Sequence, residues 1–169
     1  HVRSRRQRQM CIRDRPDAGE ALVKRTQEQI DQAKKQIAAW KPAKPMRVAF
    51  LYVRGNAGVF FILGSENGAS ELIQGVGADD VASDKGITTL VPANAESLVS
   101  INPDAIFVMR DGLASTGGMK GLLARAGVAN TTAGRKQRVI SIPDGISLSF
   151  GPQTGEVLTA VAKALYGVK

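Results

Sequence analysis

The chain has 169 residues and a formal net charge of +8, with a single cysteine and a single histidine. This length is enough for one domain with a hydrophobic core. Both Cys11 and His1 lie near the N-terminus, so the rest of the chain lacks the side chains for a disulfide, a cysteine zinc site, a thiolate nucleophile or a Ser-His-Asp triad.

Residues 1–15 contain the most basic run of the chain, RRQRQMCIRDR. Six of the 23 Lys and Arg residues and one of the 15 Asp and Glu residues lie there, so the net charge falls from +8 to +3 without them. The run is terminal and lacks interleaved aromatic residues, which is not typical of a nucleic-acid site. Its back-translation reproduces a transposon sequencing adapter. We therefore expect an artefactual tail without specific contacts, and we predict no nucleic-acid partner.

Residues 17–41 have the composition of one long amphipathic helix. The apolar side chains of Val23, Ile30 and Ile37 recur at helical spacing among Ala, Gln, Lys and Glu residues. Prolines directly after Lys41 end the helix, because a proline lacks a backbone donor and disfavours helix in the residue before it.

After this helix, short apolar runs alternate with helix-like segments. The nearly unbroken run RVAFLYV at residues 47–53 predicts a strand covered on both faces. Further strands are predicted at 104–109 and 138–142, and helices at 69–75, 94–101 with Asn94 as N-cap, 119–126 and 154–166. The alternation predicts an α/β fold with a largely parallel sheet sandwiched by helices. No apolar run is long enough to span a membrane.

Polar side chains and glycines follow the first two predicted strands. Tyr52, Arg54 and Gly55 end the first strand, and a Ser-Thr-Gly-Gly segment, residues 115–118, follows the second. Ligands of open α/β sheets bind outside the carboxyl ends of the strands, so we expect the binding site there. No phosphate-binding glycine motif and no nucleophile-base pair is found, and an α/β enzyme is therefore the less favoured alternative.

At these residues the chain resembles the haem-binding substrate-binding proteins of haem ABC importers. The resemblance covers residues 18–169 and is most specific in the blocks FLYVRGNAGVFFILG, GLASTGGMKGLL and SFGPQT. Other blocks, such as PDAIFVM, also occur in related binding proteins for cobalamin, siderophores and metals. Capture of cobalamin or a ferric siderophore therefore remains the alternative within the same superfamily.

The resemblance implies a bilobal protein with two α/β lobes joined by one long helix. Residues 16–45 would be the inter-lobe helix and linker, residues 46–169 the C-terminal lobe, and the N-terminal lobe would be missing. The implied function is the capture of haem outside the cytoplasmic membrane and its delivery to an ABC permease, without chemistry on the ligand. Membrane attachment would come only from a lipoprotein-type anchor in the missing part.

The resemblance also implies roles for particular residues at the strand ends. Tyr52 would be an axial ligand of the haem iron, and Arg54 would support it, because a guanidinium favours a phenolate that is otherwise protonated near neutral pH. Gly55, Gly117 and Gly118 would let the ligand approach the backbone. Without the resemblance, these residues are a packed tyrosine, a solvated arginine and ordinary loop glycines.

Two further sets of residues have two interpretations each. Glu96 would dock on arginines of the permease by the resemblance, whereas its place in the first turn of a helix favours an acidic residue in any case. Phe60, Phe61 and Met119 could contact a porphyrin face or belong to the core.

Overall fold

The computed structural model describes residues 16–55, 58–145 and 150–168. Its helices are α1 (Pro16–Trp40), α2 (Ala69–Gly75), α3 (Val81–Asp84), α4 (Ala95–Ile101), α5 (Arg110–Ser115), α6 (Gly118–Leu123), α7 (Thr132–Arg135) and α8 (Thr154–Tyr166). Its strands are β1 (Arg47–Arg54), β2 (Val59–Ile62), β3 (Asp79–Asp80), β4 (Val91–Pro92), β5 (Ala105–Met109) and β6 (Val139–Ile142). The expected artefactual tail of residues 1–15 lies outside the described residues.

The strands form one mixed sheet in the order β4-β2-β1-β5-β6, with the short β3 also paired to β1. β1, β5 and β6 are parallel, as predicted, whereas β2 runs antiparallel to both β1 and β4. The predicted α/β class is confirmed. The sequence reasoning missed β2, β3 and β4. β2 follows β1 closely in the chain, and Gly55 and Gly58 in the connection have positive φ angles of 51° and 72°.

Side chains of the central strands alternate between two hydrophobic cores, one on each face of the sheet. Val48 and Phe50 of β1 pack with residues of α1, α2 and α8 on one face. Ala49 and Leu51 pack with residues of α3, α4, α6 and α7 on the other. Burial on both faces explains why β1 is an almost unbroken apolar run in the sequence.

The long helix α1 packs mainly against α8. Its apolar stripe is partly exposed: Ile37 is buried at 2% exposure, whereas Val23 is 70% exposed. No helix within the described ranges is both long and apolar enough to cross a membrane. The domain boundary predicted between residues 45 and 46 stays a prediction. Ile37 of α1 belongs to the same core as Val48 and Phe50 of the sheet.

α4 agrees with the sequence prediction, whereas α6 differs from it. α4 begins after Asn94, whose side chain accepts a hydrogen bond from Ser97 N, so the predicted N-cap is confirmed. α6 ends at Leu123 and not at residue 126, because the chain turns at Gly127 with a φ of 87° and packs tightly against α4. The short helices α3, α5 and α7 were not predicted, and α5 follows β5 directly.

Candidate functional site

The candidate site lies where the parallel strands end. β1, β5 and β6 point the same way, so their carboxyl ends meet at one edge of the sheet. This edge carries Tyr52 and Arg54 from β1, the start of α5 after β5, and Asp144 after β6. Residues distant in sequence are therefore brought together by the sheet order alone.

Tyr52 and Arg54 form a direct pair on one face of β1. Residues two apart on a strand share a face, and the strand continues through Arg54. The Arg54 Nε donates a hydrogen bond to the Tyr52 hydroxyl oxygen at 3.3 Å, and the guanidinium carbon lies 5.5 Å from the centre of the ring. Tyr52 is half-buried and packs against the core shared with α1, α2 and α8, whereas Arg54 is exposed.

The charge of the Arg54 guanidinium is reinforced by its surroundings. The hydrogen bond to Tyr52 raises the pKa of Arg54 above its ordinary value, and the nearby carboxylates of Asp144 and Asp111 act in the same direction. A permanent positive charge thus lies against the phenol oxygen of Tyr52. Such a charge favours any complex in which that oxygen is negative.

Asp144 connects Arg54 to the other strand ends. Its Oδ1 lies 3.5 Å from the Arg54 Nη2, and its Oδ2 accepts a hydrogen bond of 2.8 Å from the backbone N–H of Asp111 at the start of α5. The two oxygens of one carboxylate thus contact the last residue of β1 and the second residue of α5. The sequence reasoning did not identify Asp144.

Gly55, directly after Arg54, is held by hydrogen bonds at both its N–H and its carbonyl group. The backbone N–H of Gly55 donates to the Ser115 hydroxyl at 2.7 Å, and the Gly55 carbonyl accepts from Arg125 at 2.5 Å. The Arg125 guanidinium also lies 5.0 Å from the centre of the Phe60 ring on β2. The predicted site glycine Gly55 is therefore a fixed part of the edge, and Phe60 is half-buried against the core on the α4 side.

The predicted glycines Gly117 and Gly118 form the junction between α5 and α6. Both have positive φ angles, 85° and 72°, and a Cβ at either position would meet no atom within 4 Å. The backbone here is open to an approaching molecule. Ser115 at the end of α5, two residues before Gly117, accepts the hydrogen bond from the Gly55 N–H that follows Arg54.

Glu96 belongs to α4, a different element from the strand that carries Tyr52 and Arg54. It is exposed in the first turn of α4, next to the capping box that Asn94 and Ser97 form. Exposure leaves its carboxylate accessible to a partner, and its position also suits the positive end of the helix. Phe61 and Met119, the other residues with two interpretations, are half-buried.

The sequence held one signal for the missed residue Asp144. A carboxylate directly after a predicted strand belongs to the same set as the polar residues after β1 and β5, and the third strand ends in the segment ISIPD. Arg125 gave no such signal, since it comes from the turn after α6 and reaches Gly55 only in the folded chain.

The sequence matches the model of the periplasmic binding protein family over residues 12–145. The heme binding protein HmuT is 48% identical in its solved structure, with a TM-score of 0.89 and a match covering 91% of this chain and 50% of that one. The periplasmic heme-binding protein RhuT from Roseiflexus sp. RS-1 is 34% identical, with a TM-score of 0.84 and 90% and 57% covered. Comparison with curated protein sequences finds no significant match.

The periplasmic heme-binding protein BhuT, solved in complex with two hemes, is 32% identical, with a TM-score of 0.81 and 91% of this chain and 57% of that chain covered. This chain therefore spans about half the length of the structures that it matches. HmuT has also been solved with alanine in place of a tyrosine, of an arginine two positions further along, and of a histidine.

Proposed function

Because the chain belongs to the periplasmic binding protein family, we propose that it forms part of a binding protein that captures haem outside the cytoplasmic membrane and passes it to an ABC permease. It would perform no chemistry on the haem. The haem-binding proteins HmuT and RhuT, at 48% and 34% identity, support haem as the ligand class. An extracytoplasmic location follows from the same family, with any membrane attachment supplied by an N-terminal lipoprotein anchor.

One observation carries the proposal: the hydrogen-bonded pair of Tyr52 and Arg54 at the carboxyl edge of the sheet. The tyrosine and the arginine replaced by alanine in HmuT have the same spacing of two positions, and the match to HmuT covers 89% of this chain. We infer that Tyr52 is an axial ligand of the haem iron and that Arg54 supports it.

The chemistry of the pair suits a ferric haem. A phenolate oxygen is an established protein ligand of haem iron. The Arg54 guanidinium already donates to the Tyr52 oxygen, so it can remain there and offset the negative charge when iron replaces the phenolic proton. Because Arg54 is exposed and Tyr52 is half-buried, the ring can be held by the core while its oxygen meets the ligand.

The glycines complete the proposed surface. Gly55, fixed by Ser115 and Arg125, turns the chain away directly after Arg54. Gly117 and Gly118 have open space where a side chain would stand, so a flat macrocycle could approach their backbone. Glu96, exposed on α4, would contact the permease and not the haem.

The proposal is tested by titrating hemin into the chain and recording the absorption spectrum. We expect Tyr52→Phe to abolish the phenolate-to-iron charge-transfer absorption and to weaken binding, because the ring is retained and only the ligand oxygen is removed. Tyr166→Phe is the matched control, since the Tyr166 hydroxyl at the end of α8 donates to the Val76 carbonyl directly after α2 and has no contact with Tyr52 among the described hydrogen bonds.

Two outcomes would contradict the proposal. An unchanged haem spectrum in Tyr52→Phe would eliminate Tyr52 as the axial ligand. Tighter binding of cobalamin or of a ferric siderophore than of hemin, in parallel titrations, would replace haem by the other chelate as the cargo.

A further inference from the structure

Asp144 contacts residues from two other strand ends at the carboxyl edge of the sheet. β5 lies between β1 and β6 in the strand order, yet Asp144, two residues past β6, reaches the Arg54 guanidinium on β1. Its other oxygen accepts the backbone N–H of Asp111 at 2.8 Å. The carboxylate is thus held by backbone on one side and contacts a side chain on the other.

Arg54 needs such a contact to stay in place. Its side chain is 44% exposed, and an exposed arginine gives up rotamer freedom when it is held in one geometry. Its hydrogen bond to Tyr52, at 3.3 Å, is longer than the usual N–H to O bond. The Asp144 side chain is only 21% exposed, so it is the more rigid partner of the pair.

We propose that Asp144 is a positioning residue for haem capture, which holds the Arg54 guanidinium against the Tyr52 oxygen. This inference rests on the proposed axial role of Tyr52. Without the carboxylate, the guanidinium is free to turn towards water or towards other negative groups of the ligand. Asp144 itself does not touch the iron ligand; it acts through Arg54.

The test is a double-mutant cycle on the hemin-loaded chain, with haem release to excess apomyoglobin as the rate measured. Asp144→Asn should speed release by about two- to fivefold, the range of an exposed ion pair. The same change in an Arg54→Ala background should leave the release rate almost unaltered, because the group that Asp144 positions is then absent. The charge-transfer absorption should shift in Asp144→Asn in the same direction as in Arg54→Ala, and by less.

Asp111→Asn is the matched control. It removes a carboxylate near Arg54 but keeps the backbone N–H that binds Asp144, so its effect on release should be smaller than that of Asp144→Asn. An equal effect of Asp144→Asn with and without Arg54 would overturn the inference, since it would show a role in loop structure alone. An equal effect of Asp111→Asn would also overturn it, because general charge would then explain the result.

The two proposals fail in different ways. If Tyr52→Phe leaves the spectrum unchanged, the proposed function itself is wrong. If Tyr52→Phe removes the charge-transfer absorption while the cycle shows no coupling between Asp144 and Arg54, only the positioning role is lost.

Discussion

Replacing Gly112 by alanine should disturb the end of β1 and, with it, the proposed haem ligand. Gly112 is a buried residue of α5, and a Cβ built on it would lie 2.6 Å from the carbonyl oxygen of Val53. Val53 stands between Tyr52 and Arg54 on β1. The added methyl group would therefore press on the backbone that positions both residues.

The size of the disturbance follows from this distance. Real Cβ contacts do not fall below 3.0 Å and are ordinary from 3.4 Å, so α5 and β1 must separate by about 0.4 to 0.8 Å. Overpacking of this kind costs about 1–3 kcal/mol, while alanine in place of a helical glycine gains up to about 1 kcal/mol. We expect the free energy of unfolding to fall by up to about 3 kcal/mol, with about 1–2 kcal/mol at the middle of these ranges.

Haem binding should weaken as well. The hydrogen bond between Arg54 and Tyr52 is already 3.3 Å long, so a shift of a few tenths of an ångström at Val53 is enough to break it. Loss of one such bond, about 1 kcal/mol, corresponds to a roughly fivefold weaker hemin affinity.

Urea unfolding followed by circular dichroism measures the first effect, and hemin titration measures the second. Gly19→Ala is the matched control, because Gly19 is a helical glycine of α1 with no atom within 4 Å of an added Cβ. It should keep or raise stability and leave hemin affinity unchanged. If Gly112→Ala is as stable as Gly19→Ala, the close approach of α5 to β1 does not constrain the fold. A destabilised variant with unchanged hemin affinity would instead show that the backbone at Val53 does not control the position of Tyr52 and Arg54.

Two further changes test other parts of the chain. Tyr166→Phe should lower stability at neutral pH by about 1 kcal/mol through loss of the hydrogen bond to Val76. Burial and the nearby Asp79 raise the pKa of the Tyr166 phenol in the folded chain. The phenol of the unfolded chain therefore ionises first, and the free energy of unfolding of the parent chain should fall above about pH 10. An equal fall for Tyr166→Phe in urea titrations would contradict this. Glu96→Ala should leave hemin titration unchanged but lower transport by a reconstituted haem importer, and full transport would leave Glu96 only its place in the first turn of α4.

The sequence predicted the parts of the fold that depend on local pattern. β1 is apolar along almost its whole length because both faces are buried, and this pattern is visible without a structure. The helix at Thr154–Tyr166 was predicted at its observed bounds, since its apolar spacing is helical and Gly167 ends it with a φ of 69°. The shared face of Tyr52 and Arg54 likewise follows from strand alternation.

The missed elements depend on contacts between distant residues. β2 has the apolar composition of a strand, but its place in the sheet also depends on β4, where Pro92 and Val91 pair with Phe61 and Ile62. α6 ends early because Gly127 lies against α4, and the residues of α4 are too far away in the sequence for a local pattern around α6 to show this contact. In both cases tertiary packing determines where a locally plausible element ends.

The same distinction applies within the site. Tyr52 and Arg54 are encoded by one strand, so their pairing could be predicted from spacing, whereas Asp144 meets Arg54 across 90 residues of chain. That meeting requires β6 to lie beside β5 and β5 beside β1, in parallel and in register. Once the sheet order is known, however, the place to look is defined: a carboxylate that follows the third parallel strand must lie at the edge that holds the first two strand ends. The contact of Asp144 with Arg54 therefore depends on the topology of the sheet, whereas the pairing of Tyr52 with Arg54 depends only on strand β1.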